Sequence, residues 1–240
     1  MEYKILWNPW HGCKKLSIGC MNCYAFRKDA AKGVDPESIY LTDQFELPVE
    51  KDEDGEYLVP EHSDVLVCTL SDFFIEEADQ WREKVWEMIR KRSDVSFSIL
   101  TKRVDRIASC LPRDWGDGYT NVSLGCSIEN QLQCDKRMPI FNSVKCKSRY
   151  LICEPLLDEI DLTEYFTPDL EYVLCSGERG KNARVCKMEW VEYIRDQCLV
   201  NTVRFIFEKT GSRFEKDGKV YKIPLSLQRE QAKKSKIQLF

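Results

Sequence analysis

Cys13, Cys20 and Cys23 fall within eleven residues, in the segment Trp7-Asn8-Pro9-Trp10-His11-Gly12-Cys13-Lys14-Lys15-Leu16-Ser17-Ile18-Gly19-Cys20-Met21-Asn22-Cys23-Tyr24-Ala25. Two residues separate Cys20 from Cys23, so one tight turn can aim both sulfurs at the same metal, and Gly12 and Gly19 relax the backbone beside two of the thiols. Three thiolates can hold a four-iron [4Fe-4S] cluster and leave one iron without a protein ligand, whereas clusters that only carry electrons normally take four cysteines. The open iron could chelate the amino and carboxylate groups of S-adenosyl-L-methionine (SAM). An electron from the reduced cluster could then break a carbon–sulfur bond to give a 5′-deoxyadenosyl radical. Zinc is the competing chemistry: it needs a fourth ligand, and His11 is near enough in sequence to complete a Cys3His set. Otherwise His11 reads as a satisfied polar residue, and His62, in Pro60-Glu61-His62-Ser63, as a surface residue.

The remaining cysteines call for a different reading. Twelve cysteines in 240 residues would make a disulfide framework only in a small secreted domain with a poor core. Cys68, Cys126, Cys153 and Cys175 lie in short apolar segments, where a cysteine behaves as a small buried hydrophobe. A hydrophobic content of 43% can fill one sizeable core, so a single domain over 1–240 is expected. No apolar run approaches the roughly 20 residues needed to cross a bilayer, and Met1-Glu2-Tyr3-Lys4-Ile5 lacks the build of a signal peptide. These features predict a cytoplasmic chain with no membrane partner. The formal net charge of −4 excludes a protein that coats nucleic acid by charge alone, while leaving room for a local basic groove. The basic stretch Arg229-Glu230-Gln231-Ala232-Lys233-Lys234-Ser235-Lys236 reads as a solvated helix end before it reads as a phosphate contact.

Elements that could position the cysteines recur along the chain. Short apolar runs rich in β-branched or aromatic residues span Val65 to Leu70, Ser96 to Leu100, Asn121 to Gly125, Arg149 to Cys153, Tyr172 to Cys175 and Val203 to Phe207. Between them, Ala78, Trp81, Val85, Met88 and Ile89 mark one amphipathic helix, and Met188, Val191, Ile194 and Cys198 another. Continuous hydrophobic strands alternating with such helices predict an α/β fold with parallel strands, specifically a partial or full (β/α) barrel. The strands end in polar clusters: Ser71-Asp72, Thr101-Lys102-Arg103, Ser127 to Asn130, Glu154, Ser176-Gly177-Glu178-Arg179 and Glu208-Lys209-Thr210. In parallel α/β folds such ends meet on one face, where sites form. The charged stretch Pro48 to Pro60 reads as an exposed hairpin or loop.

With these residues in view, the chain resembles an uncharacterised phage-associated protein family, described as radical-SAM-like, whose members open on Trp-Asn-Pro and the same Cys-x6-Cys-x2-Cys spacing. The likeness extends through Thr69-Leu70-Ser71-Asp72-Phe73-Phe74, Leu100-Thr101-Lys102-Arg103, Asn121 to Asn130, Glu154-Pro155-Leu156-Leu157, Gly177-Glu178-Arg179-Gly180 with Ala183-Arg184, and Arg195-Asp196-Gln197-Cys198. It departs where Cys126 and Cys175 replace an aliphatic residue and a glycine, and where Glu208-Lys209-Thr210-Gly211 replaces Lys-Gln-Trp-Gly. The resemblance implies a radical-SAM-like barrel and an enzyme that cleaves SAM reductively to act on a substrate, with a nucleotide or nucleic acid suggested by the phage association. A flavodoxin- or ferredoxin-like protein would supply the electron.

On that reading Ser71 and Asp72 accept from the cofactor's amino group, and Lys102, Arg103 or Arg137 pairs with its carboxylate. Ser127, Glu129 and Asn130 meet the ribose or adenine. Glu154, Glu178, Arg184 and Lys209 face the substrate, where a carboxylate takes a proton or holds an amine. The alternatives are ion pairs that close the strand ends, or a non-catalytic regulatory or nucleic-acid-binding module whose cysteines hold zinc or a redox-sensing cluster.

Overall fold

The computed structural model describes residues 5–239. Along the chain, β1 (Ile5–Trp7), β2 (Trp10–His11), α1 (Tyr24–Ala31) and β3 (Tyr40–Leu41) surround the cysteine loop. There follow β4 (Asp64–Val67), α2 (Asp79–Lys91), β5 (Ser96–Thr101), α3 (Val104–Cys110), β6 (Val122–Ser127), α4 (Gln131–Ser143), β7 (Ser148–Cys153) and β8 (Leu170–Ser176). The chain closes with β9 (Cys186–Lys187), α5 (Met188–Val200), β10 (Arg204–Lys209), β11 (Arg213–Lys216), β12 (Lys219–Lys222) and α6 (Gln228–Lys234).

The main sheet has seven strands in the order β1-β4-β5-β6-β7-β8-β10. Pairings β1–β4, β4–β5, β7–β8 and β8–β10 are parallel. Each main strand neighbours the next one along the chain. A doubly wound sheet instead reverses its order at a switch point; this sheet has the sequential order found in (β/α) barrels. All six expected strands are present. The first of them ends at Val67, because Cys68 turns out of the strand at φ 58°. The sequence reading missed β1, which is too short to show a period.

The chain divides into two compact units, one made of residues 1–14, 28–125 and 144–148, the other of 15–27, 126–143 and 149–240. In the first, Trp7 packs on Phe97 with ring centroids 5.8 Å apart, and Phe73 packs edge-on to Trp86 at 4.9 Å. Helix α2 buries Val85, Trp86, Met88 and Ile89 as its periodicity requires, and also Arg82, which donates to the carbonyls of Phe73 and Ile75. The charged stretch, expected as an exposed hairpin or loop, is a hairpin, with Lys51 bridging Tyr57. Buried Arg92 ties its base by donating to the Pro48 and Val59 carbonyls.

In the second unit, β8 is buried along nearly its whole length, as a strand covered on both faces should be. Helix α5 buries Met188, Val191, Ile194 and Cys198, the expected stripe. Helix α4 escaped the sequence reading. Its inward positions are Cys134, Arg137, Met138 and Phe141, so a charged residue and a cysteine interrupt an otherwise helical i, i+3, i+4, i+7 pattern. The basic C-terminal stretch forms α6 and its end, with Arg229 paired to Glu208 at 2.8 Å and Lys234 to Glu230 at 2.6 Å. Among the described residues no helix is long and apolar enough to cross a membrane.

Candidate functional site

The cysteine loop begins in the first unit. Cys13 N–H donates to the Pro36 carbonyl at 2.9 Å, and Ser71 Oγ donates to the carbonyl of Gly12. Arg103 Nη1 lies 3.9 Å from Cys13 Sγ, while Nη2 donates to the Lys14 carbonyl at 2.7 Å. Asp72 holds that arginine in place, with Oδ2 3.1 Å from Arg103 Nη1. The same carboxylate accepts from Thr101 Oγ1 at 2.7 Å, Phe74 N at 3.0 Å and Lys102 N at 3.1 Å. Asp72 is therefore a brace between the ends of β4 and β5, and its acceptor capacity is already engaged. The Lys102 ammonium, by contrast, makes no ion pair among the described residues.

In the second unit the loop continues through a 3-10 turn at Ile18–Cys20. Cys20 N–H donates to Ser17 O at 2.9 Å and Cys23 N–H to Cys20 O at 3.3 Å, which sets the two cysteines one turn apart. Gly19 N–H meets Glu129 Oε1 at 3.4 Å, and a Cβ at Gly19 would stand 2.9 Å from Glu129 Cδ. Glycine is required there by the carboxylate behind it. Glu129 is fully buried and pairs with Arg137 at 2.7 Å, and Arg137 also donates to the Ser127 carbonyl at 2.6 Å. Arg137 is thus committed to Glu129, as Arg103 is to Asp72. Asn130 Oδ1 accepts from Gln133 N at 2.9 Å. It is the N-cap of α4, a role that an asparagine followed by a helix could have announced in the sequence.

Glu178 closes the far side of the loop. Its Oε2 accepts from Asn22 Nδ2 at 2.9 Å, Arg184 N at 2.8 Å and Arg184 Nε at 2.9 Å, and Oε1 pairs with Arg184 Nη2. Arg184 Nη1 reaches the Ile18 carbonyl at 3.0 Å. Two residues of the strand-end loop after β8 therefore fasten residues 18–22. Burial alone would raise the Glu178 carboxyl, but hydrogen bonds from Arg184 and Asn22 outweigh it and hold the pKa below the usual carboxylate range. A depressed folded-state pKa adds stability above the unfolded value of about 4.3, and that stability is lost as pH falls through the folded pKa. Glu178→Gln should accordingly lose about 2 kcal/mol in urea unfolding at neutral pH. The gap to wild type should narrow as the pH drops below about 4, and a gap independent of pH would refute the pairing.

Glu154 and Lys209 stand together more loosely, Lys209 Nζ lying 3.8 Å from Glu154 Oε1. His11 is held by Asp29, Nε2 to Oδ2 at 2.9 Å, through one of its two ring nitrogens. His62 is exposed. Among the described residues no cysteine is paired in a disulfide, and seven of the twelve are buried. Burial pushes the Cys68, Cys134, Cys175, Cys186 and Cys198 thiols up, so they stay neutral and inert. Cys126 and Cys153 are buried too, as expected for core residues. Among the described residues no group of three or more His, Cys, Asp or Glu side chains is drawn together as metal ligands.

These features define a parallel α/β protein of sequential strand order whose polar and charged residues collect at the carboxyl ends of its strands. The chain belongs to the family described as protein of unknown function DUF5131, whose profile matches residues 3–238. No curated protein and no solved structure matches it.

Proposed function

We propose that the chain is a radical-SAM-type enzyme whose [4Fe-4S] cluster is ligated by Cys13, Cys20 and Cys23, and that its fold is a radical-SAM-like partial barrel. One observation carries this reading. Of the five cysteines that are half-buried rather than buried, three are these. Hydrophobic packing accounts for the seven buried thiols, and of the five that remain these three alone share one short loop. The donor set suits a cluster of this kind: three cysteines outside any disulfide, two of them one turn apart. Ligands of such sites are commonly drawn together by the metal itself, whose binding energy is also folding energy.

When bound, the cluster would supply the electron, taken from a flavodoxin- or ferredoxin-like donor, that cleaves SAM reductively. The chain's own residues would do the rest. Arg103, braced by Asp72, offsets charge on the Cys13 sulfur, and the Lys102 ammonium is open to a carboxylate. Glu178 acts through Asn22 and Arg184 to position the loop, whereas Glu154, held only at long range, is free to take a proton from substrate.

The test is anaerobic reconstitution with iron and sulfide, then SAM and dithionite, reading 5′-deoxyadenosine and the cluster's EPR spectrum. Wild type should release 5′-deoxyadenosine and Cys20→Ala should release none. A zinc-loaded, EPR-silent protein without turnover would sink the proposal in favour of a metal-bearing binding module.

A further inference from the structure

The strand ends of the second unit carry two cations that the braced pairs do not resemble. Lys209 Nζ lies 3.8 Å from Glu154 Oε1 and 3.9 Å from Glu208 Oε1, and Arg179 Nε lies 3.9 Å from the same Glu154 oxygen. All three distances exceed hydrogen-bonding range. Glu208 is engaged by Arg229 at 2.8 Å, so Lys209 and Arg179 share a single carboxylate and one positive charge is left over. The Lys209 side chain is only 15% exposed, yet its ammonium makes no hydrogen bond among the described residues. Withdrawing an ammonium from water without replacing its hydrogen bonds is costly, and an incoming oxyanion would replace them.

Two neighbours indicate what bears that oxyanion. The Arg179 guanidinium sits over the Tyr24 ring at 5.4 Å from its centroid, and Tyr24 is 42% exposed, which leaves aromatic surface open to a planar ring. Beyond β8 the loop Glu178-Arg179-Gly180-Lys181 adds a further exposed cation. Cations outnumber carboxylates here, which suits the spaced charges of a phosphodiester backbone. Cations that track a backbone together with an aromatic platform are the means by which proteins hold single-stranded nucleic acid.

We infer that Lys209 and Arg179 bind a phosphodiester of a single-stranded nucleic acid whose adjacent base stacks on Tyr24. The binding site stands on its own geometry; that the nucleic acid is the substrate rests on the enzyme reading above.

The experiment is fluorescence anisotropy of the full chain, without cluster or SAM, against a fluorescein-labelled oligodeoxythymidylate over a range of salt. Arg179→Gln and Lys209→Met should each weaken binding about tenfold and lower the salt slope by about one. Tyr24→Ala should weaken it about tenfold with the slope unchanged. Glu154→Gln, which frees both cations, should tighten it, and Lys222→Gln on the exposed β12 should leave it alone. Absent binding, variants indistinguishable from wild type, weaker binding by Glu154→Gln, or equal competition by polyglutamate would each overturn the inference. Because no cluster is present, none of these results bears on deoxyadenosine release.

Discussion

Glu129→Gln should lower the unfolding free energy by roughly 3–5 kcal/mol, the cost of stripping a buried ion pair of one partner. Glu129 is fully buried and Arg137 is 4% exposed, so the guanidinium left behind has neither water nor a counter-charge. Its remaining contact, the Ser127 carbonyl at 2.6 Å, neutralises nothing. The effect should reach the cysteine loop, because Gly19 N–H loses its charged acceptor at the same time. Urea unfolding followed by tryptophan fluorescence measures it. The double variant Glu129→Met, Arg137→Leu should recover most of the loss, since well-packed apolar residues often replace a buried pair at little cost. A single-variant loss below about 1 kcal/mol would mean that the pair is solvated and carries little of the fold.

Gly12→Ala should disturb the cysteine loop without replacing a cysteine. Gly12 has φ 87°, and a Cβ there would fall 2.1 Å from the Ser38 carbonyl oxygen and 2.8 Å from its carbon. The left-handed conformation costs an alanine roughly 1–2 kcal/mol. The clash is with backbone, which cannot rotate away, so the turn itself must move. Cys13 follows directly and is anchored to Pro36 at 2.9 Å, on the same segment that the new methyl would displace. The expected result is a lower melting temperature together with iron retention cut to roughly half or less, as coupling of metal binding to loop folding requires. Full iron retention by a destabilised Gly12→Ala would count against the proposed ligation by Cys13.

Much of the architecture is legible in the residues themselves. A strand buried on both faces reads as a near-continuous apolar run, so Tyr150 to Cys153 and Tyr172 to Cys175 announce β7 and β8. Helix α5 shows its stripe because one face alone is buried. Helix α4 does not, since Arg137 occupies a buried position for the sake of Glu129, and only the folded chain brings that carboxylate to it. The strand-end residues show the same division. Sequence order places Asp72, Glu129, Glu154, Glu178 and Lys209 at strand ends, because parallel connections return every strand in the same direction. Which of them are engaged depends on partners far along the chain: Asp72 on Thr101 and Arg103, Glu178 on Asn22 and Arg184. Spacing alone therefore determined the three-cysteine loop and the parallel α/β class. Tertiary structure decided which charges are spent on holding the loop and which, Lys209 and Arg179 above all, keep donors to offer, because a charge's capacity to bind depends on the partners that folding has already supplied.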